Sequence, residues 1–252
     1  MMEKSFPEQD KMTNEELAAK FAMVEENYRY ICDGIAEAAV KSGRKYEDIT
    51  FLAATKTVDA RVINHAIGLG LSYIGENRVQ ELLDKYEHYD LEHADLQFIG
   101  RLQNNKIKYI IDKVSQIQSV DSIKQVSEIS RLAEKNGIVM KILVEVNIGL
   151  EENKGGVRPE ALSEFIDEAR EYSGIHVNGL MAIPPICDDN SRLMKYFSAM
   201  NQYFIDIKAK NIDNISMDCL SMGMSSDYKE AIECGATMVR VGSSLFGKRI
   251  YK

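Results

Sequence analysis

The feature that most constrains the fold of this chain is a regular alternation of short strand-like segments with amphipathic segments. Eight apolar runs rich in β-branched residues predict strands at 49–55, 72–74, 95–99, 116–120, 139–146, 176–182, 219–221 and 238–241. Amphipathic stretches between them predict helices at 59–68, 78–88, 106–113, 123–136, 159–172, 191–210 and 227–233. Such alternation is typical of a parallel sheet, and at 252 residues it predicts an α/β fold, a single-domain (β/α)8 TIM barrel. A doubly wound open sheet is the alternative.

An additional helix is predicted ahead of the first strand, at residues 13–42. Thr13 and Glu16 form a capping-box pattern, apolar residues then recur every three or four positions, and Gly43 ends the helix. No linker or break in composition follows, so we expect one domain over residues 1–252. The additional helix packs on the barrel or docks a partner.

Composition and charge narrow the class of protein. A formal net charge of −8 argues against nucleic acid as a main partner. The sequence has no apolar run long enough to span a membrane and no apolar signal core at its N-terminus, which predicts a cytoplasmic protein. The four cysteines and four histidines lack metal-ligand spacing, so we expect no metal site and reduced, mostly buried thiols.

Lys56 is unusual because it is a charged residue that directly follows the apolar run 49–55 of the first predicted strand. An ammonium at the end of a buried strand has to be solvated, paired or used. One interpretation is a side chain that reaches solvent at the strand end. The other is an amine that forms a Schiff base with a carbonyl compound.

The two loops that follow predicted strands seven and eight favour the second interpretation. Both combine glycine with hydroxyl side chains, in the runs 221–227 and 240–244. Barrels of this class often bind phosphate at these two loops, where backbone N–H groups and hydroxyls act as donors. Alone, either loop is equally consistent with a helix cap or a turn, but together they predict an anion site. Arg240, within strand eight, would place a cation beneath it.

A phosphate site facing a lysine at a strand end is consistent with two chemistries. One is pyridoxal 5′-phosphate held by the lysine as an imine. The other is a Schiff-base aldolase that acts on a sugar phosphate.

Seven motifs distinguish these possibilities, because together they resemble the pyridoxal phosphate homeostasis protein family. The resemblance runs from about residue 50 to the C-terminus and rests on residues 53–56, 74–81, 98–106, 143–148, 179–181, 220–227 and 239–247. It implies a barrel similar to the N-terminal domain of alanine racemase, with pyridoxal 5′-phosphate bound to Lys56 as a Schiff base.

The resemblance also implies roles for individual residues around this cofactor. The phosphate would be bound by Ser225, Ser226, Gly242, Ser243 and Ser244. Arg240 would face the pyridine nitrogen; since a guanidinium cannot accept a proton, it would keep the ring unprotonated and a weak electron sink. Asn77 would lie near the phenolic oxygen or the imine, with a loop cap as its alternative role.

Further contacts are expected at the rim of this site. Met224 and Met181 are expected to pack on the ring, and Asn147 is a further candidate contact. Arg101, Asn104 and Lys106 form a basic rim or a solvated helix start.

A carrier function is favoured over catalysis. Racemisation needs two bases, and the racemase relatives take the second one, a tyrosine, from an additional C-terminal domain. This sequence ends at Lys252, soon after strand eight, so we expect no such domain and a monomer. The prediction is a non-catalytic protein that holds the cofactor and passes it to apo-enzymes. A weak amino-acid racemase is the first alternative, and the cofactor-free aldolase is the second.

Overall fold

Eight parallel strands close into a barrel in the computed structural model, which describes residues 12–187 and 189–247. The strands are β1 (Thr50–Ala54), β2 (Tyr73–Glu76), β3 (Asp95–Phe98), β4 (Gln116–Val120), β5 (Met140–Glu145), β6 (Ile175–Met181), β7 (Ile215–Ser221) and β8 (Met238–Val241). The α-helices are α1 (Asn14–Lys41), α2 (Ala60–Gly68), α3 (Val79–Lys85), α4 (Ile123–Lys135), α5 (Leu162–Ala169), α6 (Asn190–Ala209), α7 (Tyr228–Glu233) and α8 (Ser243–Phe246). The predicted α/β barrel is therefore confirmed, and the open sheet is not formed.

Closure of the barrel determines which strand ends meet. Each strand pairs with its sequence neighbours, and β8 pairs with β1 in a register that sets Arg240 opposite Leu52. The strand that leads to Lys56 is therefore adjacent to the strand that carries Arg240. An open sheet would have separated them.

Two apolar regions stabilise the barrel. The larger one fills the space between the strands and the helices, with Phe98, Ile117 and Phe197 fully buried. The smaller one lies within the barrel and includes Leu52 and Met181. Burial of each such side chain contributes about 1.5–3 kcal/mol.

Helix α1 lies across the outside of the barrel beside α2, α7 and α8. The predicted capping box at its start is present, with Thr13 accepting from the Glu16 N–H and the Glu16 carboxylate accepting from the Thr13 N–H. The Asn27 amide donates to the carbonyl of Leu245 over 2.9 Å. The additional helix thereby supports the segment that follows β8.

The predicted helix at 106–113 is wrong in type and position. Residues Asn104–Tyr109 form a 3₁₀-helix instead. Ile107 and Ile110 are both buried, and their spacing of three matches the 3₁₀ period. The branched isoleucines also lower the propensity for an α-helix.

Asp59 caps α2, but two other aspartates that precede helices, Asp121 and Asp227, cap no helix with their side chains. Ser122 rather than Asp121 occupies the N-cap of α4, and the Asp121 carboxylate instead accepts from the N–H of Gly156 over 3.1 Å. Asp227 occupies the N-cap of α7, but its carboxylate accepts from the N–H of Met224 over 2.6 Å. Both carboxylates brace loops at the carboxyl end of the barrel rather than helices.

Candidate functional site

Lys56 lies at the carboxyl end of the barrel, in a tight turn of residues 55–58 directly after β1. The N–H of Val58 donates to the carbonyl of Thr55 over 3.1 Å and closes this turn. Thr57 has φ +62°, which is uncommon for a β-branched residue. The side chain of Lys56 is half-buried. The turn therefore presents the lysine at the end where barrels of this class carry their functional sites.

The loops after β7 and β8 meet, as the sequence predicts for an anion site. The Ser225 hydroxyl accepts from the backbone N–H groups of Gly242 and Ser244, both over 3.2 Å. The Ser244 hydroxyl donates to the Ser225 carbonyl over 3.2 Å. Two backbone N–H groups thus converge on one oxygen atom, that of the Ser225 hydroxyl, and backbone N–H groups arranged in this way are able to bind anions. Ser226 and Ser243 are exposed beside them.

Gly242 links these loops to the strand of Lys56. A Cβ atom at this position would lie 3.1 Å from the carbonyl oxygen of Ala54 and 3.2 Å from its Cβ. A Cβ at these distances would be in tight contact with Ala54, so glycine lets the loop pass this close to the end of β1 without displacing it. The phosphate-type loops and Lys56 therefore share one edge of the barrel mouth.

Arg240 supplies a buried cation at the same place. Its Nη1 donates to the Ser221 hydroxyl over 2.5 Å, and its Nη2 donates to the carbonyl of Ala182 over 3.0 Å. Burial lowers the pKa of Arg240 to about 10, opposed by the charge of Glu145, so the guanidinium stays protonated at neutral pH. A guanidinium has more N–H groups than these two bonds use, so donors remain for a ligand.

Ser221 and Gln118 orient Arg240, a role that the sequence alone does not predict for either residue. The Ser221 hydroxyl donates to Oε1 of Gln118 over 2.7 Å, and Nε2 of Gln118 donates to Oε1 of Gln97 over 2.7 Å. All three side chains are buried. The available signal was the presence of glutamines within two predicted strands, Gln97 in β3 and Gln116 and Gln118 in β4, since buried polar side chains need partners.

Asn77 follows β2 and has an incomplete set of hydrogen bonds. Its Oδ1 atom is buried and has no hydrogen-bond partner among the described residues. Gly100 allows the chain after β3 to approach Asn77, since a Cβ there would lie 2.1 Å from the Asn77 carbonyl oxygen. An orphaned buried acceptor is costly, and a donor on a bound ligand would satisfy it.

A cleft of about 710 Å³ opens beside Asn77, over the ends of β2, β3 and β4. Arg101, Asn104 and Lys106 line it together with Arg78, so the basic rim is the arrangement that the structure shows. Asp121 is the carboxylate among the lining residues. The cleft therefore attracts anionic groups and leaves the barrel mouth open on the side away from Ser225.

Three other residues of the expected site occupy different surroundings. The Asn147 amide donates to the carbonyl of Glu151 over 2.9 Å, and its oxygen accepts from the N–H of the same residue, so this side chain holds its own loop. Met181 is buried within the barrel, whereas Met224 is exposed in the loop after β7. Of these three, Met224 lies in the same loop as Ser225.

Residues 12–187 and 189–247 contain no group of three or more His, Cys, Asp or Glu side chains that could hold a metal ion. No helix within these ranges has the length and apolarity needed to cross a bilayer. All four cysteines are free, but only Cys219 is buried, so the prediction of mostly buried thiols is wrong.

Comparisons with known proteins agree with this geometry. Residues 51–249 match the family model of the alanine racemase N-terminal domain. The pyridoxal phosphate homeostasis protein of Aquifex aeolicus is 43% identical over 223 residues, which cover 88% of this chain and 96% of that protein.

Two solved structures share the fold over most of their length. A protein from Bifidobacterium adolescentis superposes with a TM-score of 0.86 at 34% identity, covering 90% of this chain and 96% of that one. PipY of Synechococcus elongatus, solved with PLP bound, superposes with a TM-score of 0.74 at 29% identity and covers 84% of this chain and 100% of that one.

Proposed function

This chain belongs to the pyridoxal phosphate homeostasis protein family, and we propose that it binds pyridoxal 5′-phosphate on Lys56 and serves in intracellular vitamin B6 homeostasis. The observation that carries this proposal is the convergence of the Gly242 and Ser244 N–H groups on one oxygen atom beside the strand of Lys56. That convergence joins the two loops at the same edge of the barrel mouth as Lys56, where their serine hydroxyls and backbone N–H groups could bind a phosphate.

The residues fit the cofactor at each of its polar ends. The serine hydroxyls and backbone N–H groups of the loops after β7 and β8 would hold the phosphate: Ser225, Ser226, Gly242, Ser243 and Ser244. When bound, the cofactor supplies an aldehyde that forms a Schiff base with the Lys56 amine. Met224 would pack against the ring, and Asn77 Oδ1 would accept a hydrogen bond from the ligand.

Arg240 would determine how strongly the ring of the bound cofactor withdraws electrons. Its guanidinium is buried, fixed by Ser221 and the Ala182 carbonyl, and cationic at neutral pH. A fixed cationic donor facing the pyridine nitrogen disfavours protonation of that nitrogen. The ring would then withdraw electrons weakly, which supports a carrier rather than a catalyst.

Among the described residues near the phosphate loops, up to residue 247, no side chain supports a second base for racemisation. Tyr228 is the tyrosine that directly follows the loop after β7, but its buried hydroxyl lies at Gly34 of α1, on the outside of the barrel. Burial also raises the pKa of Tyr228, which makes its phenolate harder to form. We therefore propose a non-catalytic protein that buffers the cofactor and passes it to apo-enzymes that depend on it. The open cleft beside Asn77 would give the acceptor amine of such an enzyme access.

The binding step is tested by absorbance. Purified protein loaded with pyridoxal 5′-phosphate is expected to show the Schiff-base band near the visible edge, and Lys56→Ala to lack it. Lys106→Ala, a lysine of the neighbouring cleft, is the matched control and should keep the band. Reduction with borohydride followed by peptide mapping should place the cofactor on Lys56. A colourless loaded protein, or a label on another lysine, contradicts the proposal.

The carrier role and its setting are tested separately. Turnover of D- or L-amino acids by wild-type protein well above that of Lys56→Ala would show that the protein is a racemase rather than a carrier. Transfer of the cofactor to an apo-enzyme faster than its release to buffer supports delivery. We further propose a cytoplasmic monomer; sedimentation at the mass of a dimer, or fractionation outside the cytoplasm, would contradict that part.

A further inference from the structure

We propose that Lys85 is a positioning residue for Lys56, because its buried ammonium binds both ends of the turn that carries Lys56. Nζ of Lys85 donates to the carbonyl of Thr55 over 3.1 Å and to the carbonyl of Val58 over 3.3 Å. The two carbonyls belong to the first and last residues of the turn. The inference rests on the proposed function, since it concerns how the cofactor-binding amine is held.

The turn needs such support because its backbone is strained. Thr57 has φ +62°, and residues held in sparsely populated regions persist only where their surroundings determine them. Helix α3 supplies two charged groups for this purpose. Lys85 binds the two carbonyls, and the Glu81 carboxylate accepts from the N–H of Thr57 over 2.8 Å.

Lys85 is itself fixed by a fully buried carboxylate. Oε1 of Glu76 accepts from Nζ of Lys85 over 2.6 Å, from the Tyr89 hydroxyl over 2.6 Å and from the Thr55 hydroxyl over 2.8 Å. Oε2 of Glu76 is buried and has no partner in the described part of the chain. A buried ion pair with an unsatisfied oxygen contributes little to stability by itself. The position of this pair indicates another role.

Glu76 connects the two strand ends that carry the proposed binding residues. It is the last residue of β2 and immediately precedes Asn77, while its partner Thr55 immediately precedes Lys56. Gly75 faces the barrel interior beside Leu52, so Glu76, the next residue of the strand, faces the helices. Lys85 therefore acts from behind the barrel wall through the backbone of Lys56, without touching the ligand.

A fixed turn affects Schiff-base formation through geometry. An amine held in the correct position reacts and re-forms its bond faster than one on a mobile turn. Without the ammonium of Lys85, Thr57 can relax and the Lys56 amine can leave its position. The equilibrium between bound and free aldehyde should then shift toward release.

The decisive variant replaces both buried charges. Lys85→Met alone would leave the Glu76 carboxylate buried without a counter-charge, which by itself is strongly destabilising. The double variant Glu76→Gln with Lys85→Met removes the two carbonyl contacts and leaves no buried charge. Lys208→Met is the matched control, because Nζ of Lys208 also donates to a backbone carbonyl, that of Met217, over 3.0 Å.

Two readouts distinguish positioning from simple stabilisation. The first is the pH midpoint of the Schiff-base absorbance band, and the second is the rate at which hydroxylamine removes that band from loaded protein. In the double variant we expect a shifted midpoint and a roughly tenfold faster loss, because only part of the energy of the two lost hydrogen bonds to a charged group affects the position of the Lys56 amine. The single variant Lys85→Arg keeps a cation beside Glu76, so its rate of loss should lie between those of wild type and the double variant. Lys208→Met should match wild type.

The outcomes separate this inference from the function on which it rests. If wild-type protein forms no band, the proposed function is wrong. If wild type forms the band and the double variant shows a lower unfolding temperature with an unchanged midpoint and rate, Lys85 is merely structural. If the double variant does not fold, Tyr89→Phe decides, since it keeps both charges and removes one bond to Glu76. It should shift both readouts in the same direction to a smaller extent, and wild-type values would overturn the inference.

Discussion

Arg240 and Ser221 are joined by a hydrogen bond of 2.5 Å between adjacent strands of the barrel, with Nη1 of the arginine as donor. The hydroxyl proton of Ser221 is directed at Gln118, so the serine presents only lone pairs to the guanidinium. Arg240 is thereby held in one orientation at the base of the barrel mouth. The two residues lie 19 positions apart in sequence and meet because β7 and β8 are neighbours.

Replacing this serine tests whether the orientation of Arg240 matters for binding. In Ser221→Ala, the guanidinium loses one partner and Gln118 loses a donor, so we expect the dissociation constant for pyridoxal 5′-phosphate to rise about tenfold, the usual effect of one hydrogen bond to a charged group. Fluorescence titration measures it. Ser216→Ala is the matched control, since the Ser216 hydroxyl donates to Asn178 within the same barrel. Equal affinities in Ser221→Ala and wild type would show that Arg240 does not need this support.

The sequence predicts the bounds of some strands well and those of others poorly. β4 and β8 have the predicted bounds, whereas β7 begins at Ile215 rather than at residue 219. Its first half, residues 215–218, alternates apolar residues with Ser216 and Asp218, a pattern that is compatible with a strand but is short. Pairing of Ile215 with Val177 of β6 makes this half a strand. Tertiary pairing therefore decides what a short local pattern leaves open.

The proposed site divides in the same way between predictable and unpredictable residues. Lys56, Ser225 and Gly242 are predictable because the carboxyl ends of barrel strands carry function, whatever the packing beneath them. The contacts of Lys85 with Thr55 and of Ser221 with Gln118 join residues that are 30 and 103 positions apart. No local pattern specifies such pairs, since they depend on the closure and register of the barrel.

Cys219 should be the least reactive thiol of the four. Its side chain is buried inside the barrel, and burial raises the pKa of its thiol to about 12. The thiolate is the reactive form, so alkylation at neutral pH should be slow. Mass spectrometry after brief treatment with iodoacetamide should show label on the half-buried Cys187 well before Cys219. Equal labelling would mean that the barrel interior opens on the timescale of the reaction.

Glu145 should make stability depend on pH. Burial raises the pKa of this carboxyl above its ordinary value of 4.5, Asp121 raises it further, and Arg240 opposes both. The folded state then keeps a proton that the unfolded state has released, so this contribution to stability is lost as pH rises through the raised value.

Glu145→Gln removes that dependence, because an amide does not ionise. The free energy of unfolding of the variant relative to wild type should therefore increase as pH rises from below 4.5 toward neutrality. Urea titrations at a series of pH values measure the difference. Glu164→Gln, an exposed glutamate of α5, is the control and should follow wild type. A constant difference across the series would contradict a raised pKa at Glu145.

Ser225 should contribute to binding through the phosphate alone. Its hydroxyl accepts from the N–H groups of Gly242 and Ser244, and its removal costs the phosphate one neighbouring donor and leaves the two loops less firmly joined. In Ser225→Ala, the affinity for pyridoxal 5′-phosphate should fall about tenfold, the effect of one hydrogen bond to a charged group. The affinity for pyridoxal, which has the same aldehyde but no phosphate, should stay at the wild-type value. Ser198→Ala on α6 is the matched control for removal of a serine hydroxyl from the surface. If both ligands lose affinity by the same factor, Ser225 supports the turn of Lys56 or the fold rather than the phosphate, and the anion would have to be held by other groups at the barrel mouth.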